Sequence, residues 1–402
     1  MRVALVHYWL VNWRGGEKLF KAIADMFPDA DIYTHVADPK LLAQELPQRK
    51  VITTFIARLP RARRYYQKYL ALMPMALEML DLQDYDLVIS SESGPAKGVI
   101  VSPHATHVCY CHSPMRYAWD RYHEYARFTG SLSRMAMMPL MHYMRMWDQV
   151  SAQRVDHYIA NSHFVGKRIG KYYGRHAEVI YPPVATRKFD TTRPAEDFYL
   201  YVGRLVPYKR ADILVEACTR LGRRLIVIGD GEMAPYLKRI AGPTIELIGP
   251  QEFDVIRDHY ARCRATLFAG VEDFGMVPVE AMASGKPVIA FGFGGARETV
   301  VDGLSGVLFY EPTAEAAMDA IRRFERTAER FDRRAICAHA AQFSEQVFHE
   351  RFSAYLRDIV PGALAPAPEE ESATAAPAHL LGRAHKPSAL KLRGPGSVGH
   401  LS

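Results

Sequence analysis

The feature that most restricts the fold is a repeated alternation of short apolar runs with helix-patterned stretches. VALVHYWL, DLVISS, GVIVS, HVCYCH and HYIANS recur in the first half, and FYLYVG, RLIVIG, IELIG, ATLFAG and KPVIAF in the second. These runs lack the strict apolar/polar alternation of a strand with one wet face, so both faces are expected to be buried. Strands of that kind, joined by helices, form a parallel sheet with crossover helices on either side. Two such sets predict an α/β protein of two doubly wound, Rossmann-like domains facing a central cleft. Ligand belongs at the carboxyl ends of the strands in that cleft. The consecutive prolines of YPPVATRKFD (181–190) break regular structure and mark the joint. The expected domains are therefore 1–187 and 188–358. From 359 to 402 the chain turns to Pro, Ala, Gly and Ser, as in PGALAPAPEEESATAAPA, and reads as a disordered tail.

Composition narrows the class. With 402 residues, 49% of them hydrophobic, the chain has material for two cores. Its five cysteines are scattered, without C-x-x-C pairs, and read as reduced thiols of a cytoplasmic protein. MRVALVHYWLV (1–11) lacks a basic leader and a small-residue cleavage site, and reads as a buried first strand. A net charge of +7 favours acidic partners, and by itself separates neither nucleic acid, anionic lipid nor phosphorylated substrates.

The local chemistry is concentrated at strand ends. In EDFGMVPVE (272–280), Pro278 suits the first turn of a helix, so Phe274, Gly275 and Met276 would present backbone N–H groups at its N-terminus, where anions bind. Glu272 and Glu280 flank this turn. They either complement the helix dipole or reach past a bound phosphate toward neutral hydroxyls. FYLYVGRLVPYK delivers Arg204 and Lys209, two cations suited to a diphosphate. RLIVIGDGE ends in a turn at Gly229 that lets backbone approach a base or ribose. NWRGGEK sets Gly15 and Gly16 between the first strand and a helix, where amides can meet phosphate. A dinucleotide-dependent dehydrogenase is disfavoured because no G-x-G-x-x-G follows the first strand.

The order GRLVPYK, GDGE, E-x7-E (Glu272 to Glu280) and GGARETVVDG resembles the retaining glycosyltransferases of family 4, whose architecture is GT-B. The resemblance covers roughly residues 1–355. It implies that Arg204 and Lys209 hold the donor diphosphate, that Glu280 bonds the ribose, and that Glu272 with the amides of Phe274 to Met276 holds sugar and phosphate. Gly15, Gly16 and Gly229 join the donor site. THVCYCHSPMRYAWD (106–120) is similar to a segment of bacterial mannosyltransferase-like enzymes that build exopolysaccharide or O-antigen units on polyprenyl diphosphate. That likeness implies a catalytic position for His112 beside Glu272, and mannose from GDP-mannose as donor; Arg116 and Tyr117 lie close enough to His112 in sequence to contact acceptor or phosphate. UDP-sugar transferases, a nucleotide-sugar epimerase and a non-catalytic sugar-nucleotide-binding protein stay open as alternatives. The expected partners are a nucleotide sugar and a glycan acceptor, lipid-linked or free, and no nucleic acid.

No metal or other cofactor is expected. Asp29-Ala30-Asp31 and Asp84-Tyr85-Asp86 lie away from these motifs and read as solvated turns. Fixed cations and helix dipoles would neutralise the leaving diphosphate. RLPRARRYYQKYLALMPMALEML (58–80) has two readings, an interfacial helix facing anionic lipid on the inner membrane face, or an ordinary helix packed on the N-terminal sheet. MAMMPLMHYMRMW (135–147) reads equally as core or as acceptor-side surface.

Overall fold

The computed structural model describes residues 1–123 and 130–364. The predicted tail beyond 364 lies outside the described residues. The N-terminal sheet contains β1 (Val3–His7), β2 (Asp31–Thr34), β3 (Val51–Thr53), β4 (Leu87–Glu92), β5 (Thr106–Cys111), β6 (His157–Ala160) and β7 (Ala177–Val179). They pair in parallel in the order β3-β2-β1-β4-β5-β6-β7. The C-terminal sheet contains β8 (Tyr199–Val202), β9 (Leu225–Ile228), β10 (Ile245–Gly249), β11 (Ala265–Phe268), β12 (Val288–Phe291) and β13 (Gly306–Phe309), parallel in the order β10-β9-β8-β11-β12-β13.

Period-two geometry sends successive side chains to opposite faces. Leu225 and Val227 of β9 enter one core cluster, and Ile226 and Ile228 enter another. Leu5 of β1 packs on one face of its sheet, Ala4 and Val6 on the other. Both sheets are therefore covered on both sides, as the unbroken apolar runs require. The strand order reverses between β1 and β4 and between β8 and β11, which opens a crevice at the carboxyl ends of those strands.

Several expectations are corrected. GVIVS is no strand: residues 96–99 turn so that Gly98 lies under the Trp147 ring, where a Cβ would stand 2.0 Å from the indole. Lys97 is thereby buried between Glu92 and Asp148. Strands β2, β3, β7 and β13 escaped the sequence reading. The helix Glu345–Ile359, assigned by position to the C-terminal domain, packs on the N-terminal one. Phe348, Phe352 and Leu356 join Leu5, Leu87 and Ile159, and Val360 and Ala363 extend that packing into the segment read as tail. The chain thus crosses between domains twice, and the two crossings touch where Val184 N–H donates to Phe343 C=O at 2.9 Å.

The 58–80 stretch is not one helix. It breaks into Ala62–Tyr65, a tight turn Tyr66–Leu72, and Met73–Glu78, beginning at Arg61 with φ +50°. MAMMPLMHYMRMW is both core and surface: within the helix Ser131–Ala152, Met141, Met144 and Trp147 are buried while Met135, Met138 and Met146 are exposed.

Candidate functional site

Each side of the cleft is built by close backbone approach. β11 runs into the loop that carries Glu272 and Asp273, and Gly275, at φ +86°, turns that loop into the helix Met276–Ala283. Gly294 and Gly295 support the loop from behind. A Cβ there would lie 2.5 Å from the Glu272 carbonyl and 2.2 Å from the Phe274 carbonyl, and Gly295 N–H bonds the Glu272 carbonyl at 2.8 Å. This glycine pair therefore shapes the loop from its far side. Across the cleft, the helix Gly15–Met26 starts with two glycines. A Cβ on Gly15 would meet Met276 Sδ at 2.7 Å, and one on Gly16 the Tyr8 hydroxyl at 2.7 Å. Two helix N-termini consequently face one another, each presenting free N–H groups. The amides of Phe274, Gly275 and Met276 have no acceptor among the described residues.

Two cavities of ≈ 380 Å³ each open between the domains, and Met276 lines both. The first brings together Gly15, Gly16, His112, Arg116, Tyr117, Lys209, Glu272, Phe274, Gly275 and Met276, with Tyr8, Ser93, Asn161 and Tyr208. The second contains Glu280, Lys18, Phe253 and Lys188. The two glutamates of EDFGMVPVE thus face different compartments on either side of the helix start.

In the first cavity Lys209 Nζ lies 2.7 Å from Glu272 Oε1. Burial works against the Lys209 ammonium, but the Glu272 carboxylate outweighs it and raises the pKa, so the lysine stays charged. His112 is pushed down to about 4 by burial, against the pull of Asp273, and is neutral at physiological pH. In the second cavity burial raises the Glu280 carboxyl, partly offset by the Tyr260 hydroxyl that donates to it at 3.1 Å.

Sequence reasoning missed the residues that close the cleft. Asp273 accepts from Arg116 and from Arg168, the latter at 3.1 Å, and so ties the two domains together. Arg121 donates to the Val271 carbonyl at 2.8 Å. Glu298 accepts from the His163 and Phe164 amides at 2.8 and 2.7 Å, capping the helix His163–Tyr173 from the other domain. Asp273 sits inside the quoted E-x7-E segment; nothing in the sequence pairs it with Arg168.

Two predicted positions line neither cavity. Arg204 is exposed, near enough to Lys209 to work against its charge. Gly229 has a packing reason of its own, because a Cβ there would stand 1.9 Å from the Gly203 carbonyl. Asp31 and Asp86 lie at the amino ends of β2 and β4, away from the cleft, bonded to Tyr85 and Lys50 and to the Arg2 amide. Among the described residues no three His, Cys, Asp or Glu side chains form a metal-ligand group, and no helix is long and apolar enough to cross a membrane. All five cysteines are free, and only Cys337 is not buried.

Residues 185–342 match the family described as glycosyl transferases group 1, and residues 13–188 match glycosyltransferase family 4. Each half of the chain thus matches a glycosyltransferase family model, and the two parallel-sheet, Rossmann-like domains have the GT-B fold. The uncharacterized glycosyltransferase MJ1178 of Methanocaldococcus jannaschii is 33% identical over 158 residues, 38% of this chain and 45% of that protein. The D-inositol 3-phosphate glycosyltransferase of Geodermatophilus obscurus is 33% identical over 195 residues, 40% of this chain and 43% of its own length. The match thus spans less than half the length of each of these two relatives. Among solved structures, Anabaena Alr3699/HepE in complex with UDP superposes with a TM-score of 0.63 at 18% identity, covering 89% of this chain and 100% of that one. The lipopolysaccharide outer core galactosyltransferase WaaB gives a TM-score of 0.64 at 17% identity, covering 90% and 100%. Both solved structures share the pair of parallel-sheet domains with this chain.

Proposed function

We propose that this chain is a retaining glycosyltransferase that moves a hexose from a nucleoside diphosphate sugar to a glycan acceptor. The observation that carries the reading is the division of the cleft: Lys209, Glu272 and His112 face one cavity, Glu280 faces the other, and the helix start at Met276 lies between them. A diphosphate at that start would meet free amides and the Lys209 ammonium. The ribose would then extend to Glu280 and the sugar to Glu272. A carboxylate accepts strongly from neutral hydroxyls, so both glutamates suit diols.

Leaving-group charge would develop on the diphosphate. Lys209 and the amides are fixed in place before reaction, so stabilising that charge requires no rearrangement. Retention has the acceptor approach from the face the diphosphate leaves, with a donor phosphate oxygen taking its proton; no protein base is required. The YCHSPMRY segment favours mannose from GDP-mannose and a polyprenyl-diphosphate-linked acceptor of surface-polysaccharide synthesis, with acceptor contacts from Arg116 and Tyr117. UDP, named in the HepE complexes, makes a UDP-sugar the second reading.

A peripheral position on the inner membrane face is part of this reading. Exposed Arg61, Arg63, Arg64 and Lys68 adjoin exposed Leu72, Met75 and Met79. The helix Ser131–Ala152 packs beside this segment, Trp147 donating to Glu78 at 3.0 Å.

The test is release of nucleoside diphosphate from a panel of GDP-, UDP- and dTDP-sugars, with and without lipid-linked acceptor. One donor should be turned over, and Glu272→Gln should slow it. Indifference to every donor would defeat the proposal.

A further inference from the structure

Beneath the first cavity lies a hydrogen-bonded chain that the reaction scheme leaves unused. His7, at the end of β1, is 1% exposed. Its Nδ1 lies 3.1 Å from Ser91 Oγ at the end of β4, and the same oxygen lies 2.9 Å from His112 Nε2 just beyond β5. His7 Nε2 is buried without a partner. His112 lines the cavity, and its Nδ1 makes no hydrogen bond among the described residues.

Three proton arrangements close both contacts while both rings are neutral, because Ser91 has one hydroxyl proton to give and an oxygen that can accept twice. Were both rings to donate to Ser91, its buried hydroxyl proton would be left without an acceptor among the described residues, a costly orphan donor, so two arrangements remain. If Ser91 donates to His7, then His7 must hold its proton on Nε2, where a buried N–H would have no acceptor. If His7 instead donates from Nδ1, its buried Nε2 is a bare lone pair. Orphaned buried N–H groups are rarer than under-satisfied acceptors. The second arrangement is therefore favoured, and it fixes the rest: Ser91 accepts from His7 and donates to His112 Nε2, which leaves the His112 proton on Nδ1.

We infer that His7, acting through Ser91, holds the proton of His112 on Nδ1, so that His112 meets its ligand as a hydrogen-bond donor to an acceptor oxygen of the bound sugar or phosphate. His7 and Ser91 are positioning residues; neither lines the cavity. A histidine held this way takes no proton from an acceptor hydroxyl, because its open nitrogen already carries one. The inference rests on the reading of this cavity as the sugar-phosphate compartment only for the identity of the oxygen. The tautomer itself follows from the protein alone.

The test is nitrogen-15 spectroscopy of the full chain with labelled histidine near neutral pH, the His112 signals being assigned by their loss in His112→Gln. Protonation of His112 on Nδ1 in the wild-type protein is the expected result, and protonation on Nε2 overturns the inference whatever the protein's activity. Ser91→Ala should release the constraint, shift His112 toward the Nε2–H form, and lower turnover of bound donor about tenfold, with nucleoside diphosphate affinity unchanged where the oxygen is the sugar's and weakened where it is the phosphate's. An unchanged His112 tautomer in Ser91→Ala would also overturn it. If the tautomer is as expected but titration with donor leaves the His112 signals unmoved, the relay stands and the donor-site reading fails.

Discussion

Glu272→Gln separates the two glutamates more sharply than the motif alone could. Glu272 is the ion-pair partner of Lys209 at 2.7 Å, with the two side chains 18% and 17% exposed. An arriving phosphate must draw on the same ammonium, so the carboxylate and the phosphate compete for it. Charge-assisted hydrogen bonds contribute about 1.5 to 3 kcal/mol, and each 1.4 kcal/mol is about tenfold in affinity. Neutral glutamine keeps the size and an acceptor oxygen but frees the lysine. Glu272→Gln should therefore bind free nucleoside diphosphate about as tightly as wild type or up to about tenfold more tightly, while turnover of saturating donor falls about ten- to a hundredfold. Glu280→Gln, altered in the other cavity, should weaken free nucleoside diphosphate by about tenfold or more. Calorimetric titration and a coupled release assay read the two effects separately. Equal weakening of nucleoside diphosphate by both substitutions would refute the assignment of the glutamates to different ends of the donor.

The remaining predictions follow from other contacts. Gly295→Ala places a Cβ 2.2 Å from the Phe274 carbonyl, so it should displace the 272–275 loop and abolish measurable nucleoside diphosphate binding in calorimetry while circular dichroism stays native-like. His35, His107 and His112 are each held down to about 4 in the fold, against 6.5 unfolded. Protons then bind the unfolded chain first, so stability is full above pH 6.5 and is lost as pH falls toward 4, at about 2 kcal/mol per histidine between pH 7 and pH 5; urea unfolding at the two pH values checks this. Arg61, Arg63 and Arg64 changed together to glutamine should weaken sedimentation with anionic vesicles, at about 1 kcal/mol per residue, and leave binding to neutral vesicles unaffected.

The sequence made the fold legible wherever burial was two-sided. β8, β9 and β12 are unbroken apolar runs, and β1, β4, β5 and β11 apolar-rich ones, because both faces of their sheets are covered. β3 and β7 are three residues each at the sheet edges, too short to show a pattern. GVIVS misled because Val99 is buried beside the turn that carries Lys97, a tertiary arrangement that mimics strand composition, while Ile100 stays exposed. The glutamates, Lys209 and the Met276 turn were legible because local spacing carries them. Asp273 with Arg168 and His7 with Ser91 were not: these partners lie 105 and 84 positions apart and meet only when the sheets and domains are assembled. The final helix was misassigned for the same reason, since Phe348 and Phe352 show an apolar face but not which core receives it.

The central claim is that one donor nucleotide spans the two cavities across the Met276 turn. Calorimetric titration of the full chain with GDP, UDP and dTDP, repeated with Lys209→Met and Glu280→Gln, tests it most directly. The account predicts that one nucleotide binds the wild-type protein at a single site, and that each substitution, acting from a different cavity, weakens it about tenfold or more. Binding that is indifferent to either substitution, or no binding of any of the three, would contradict it.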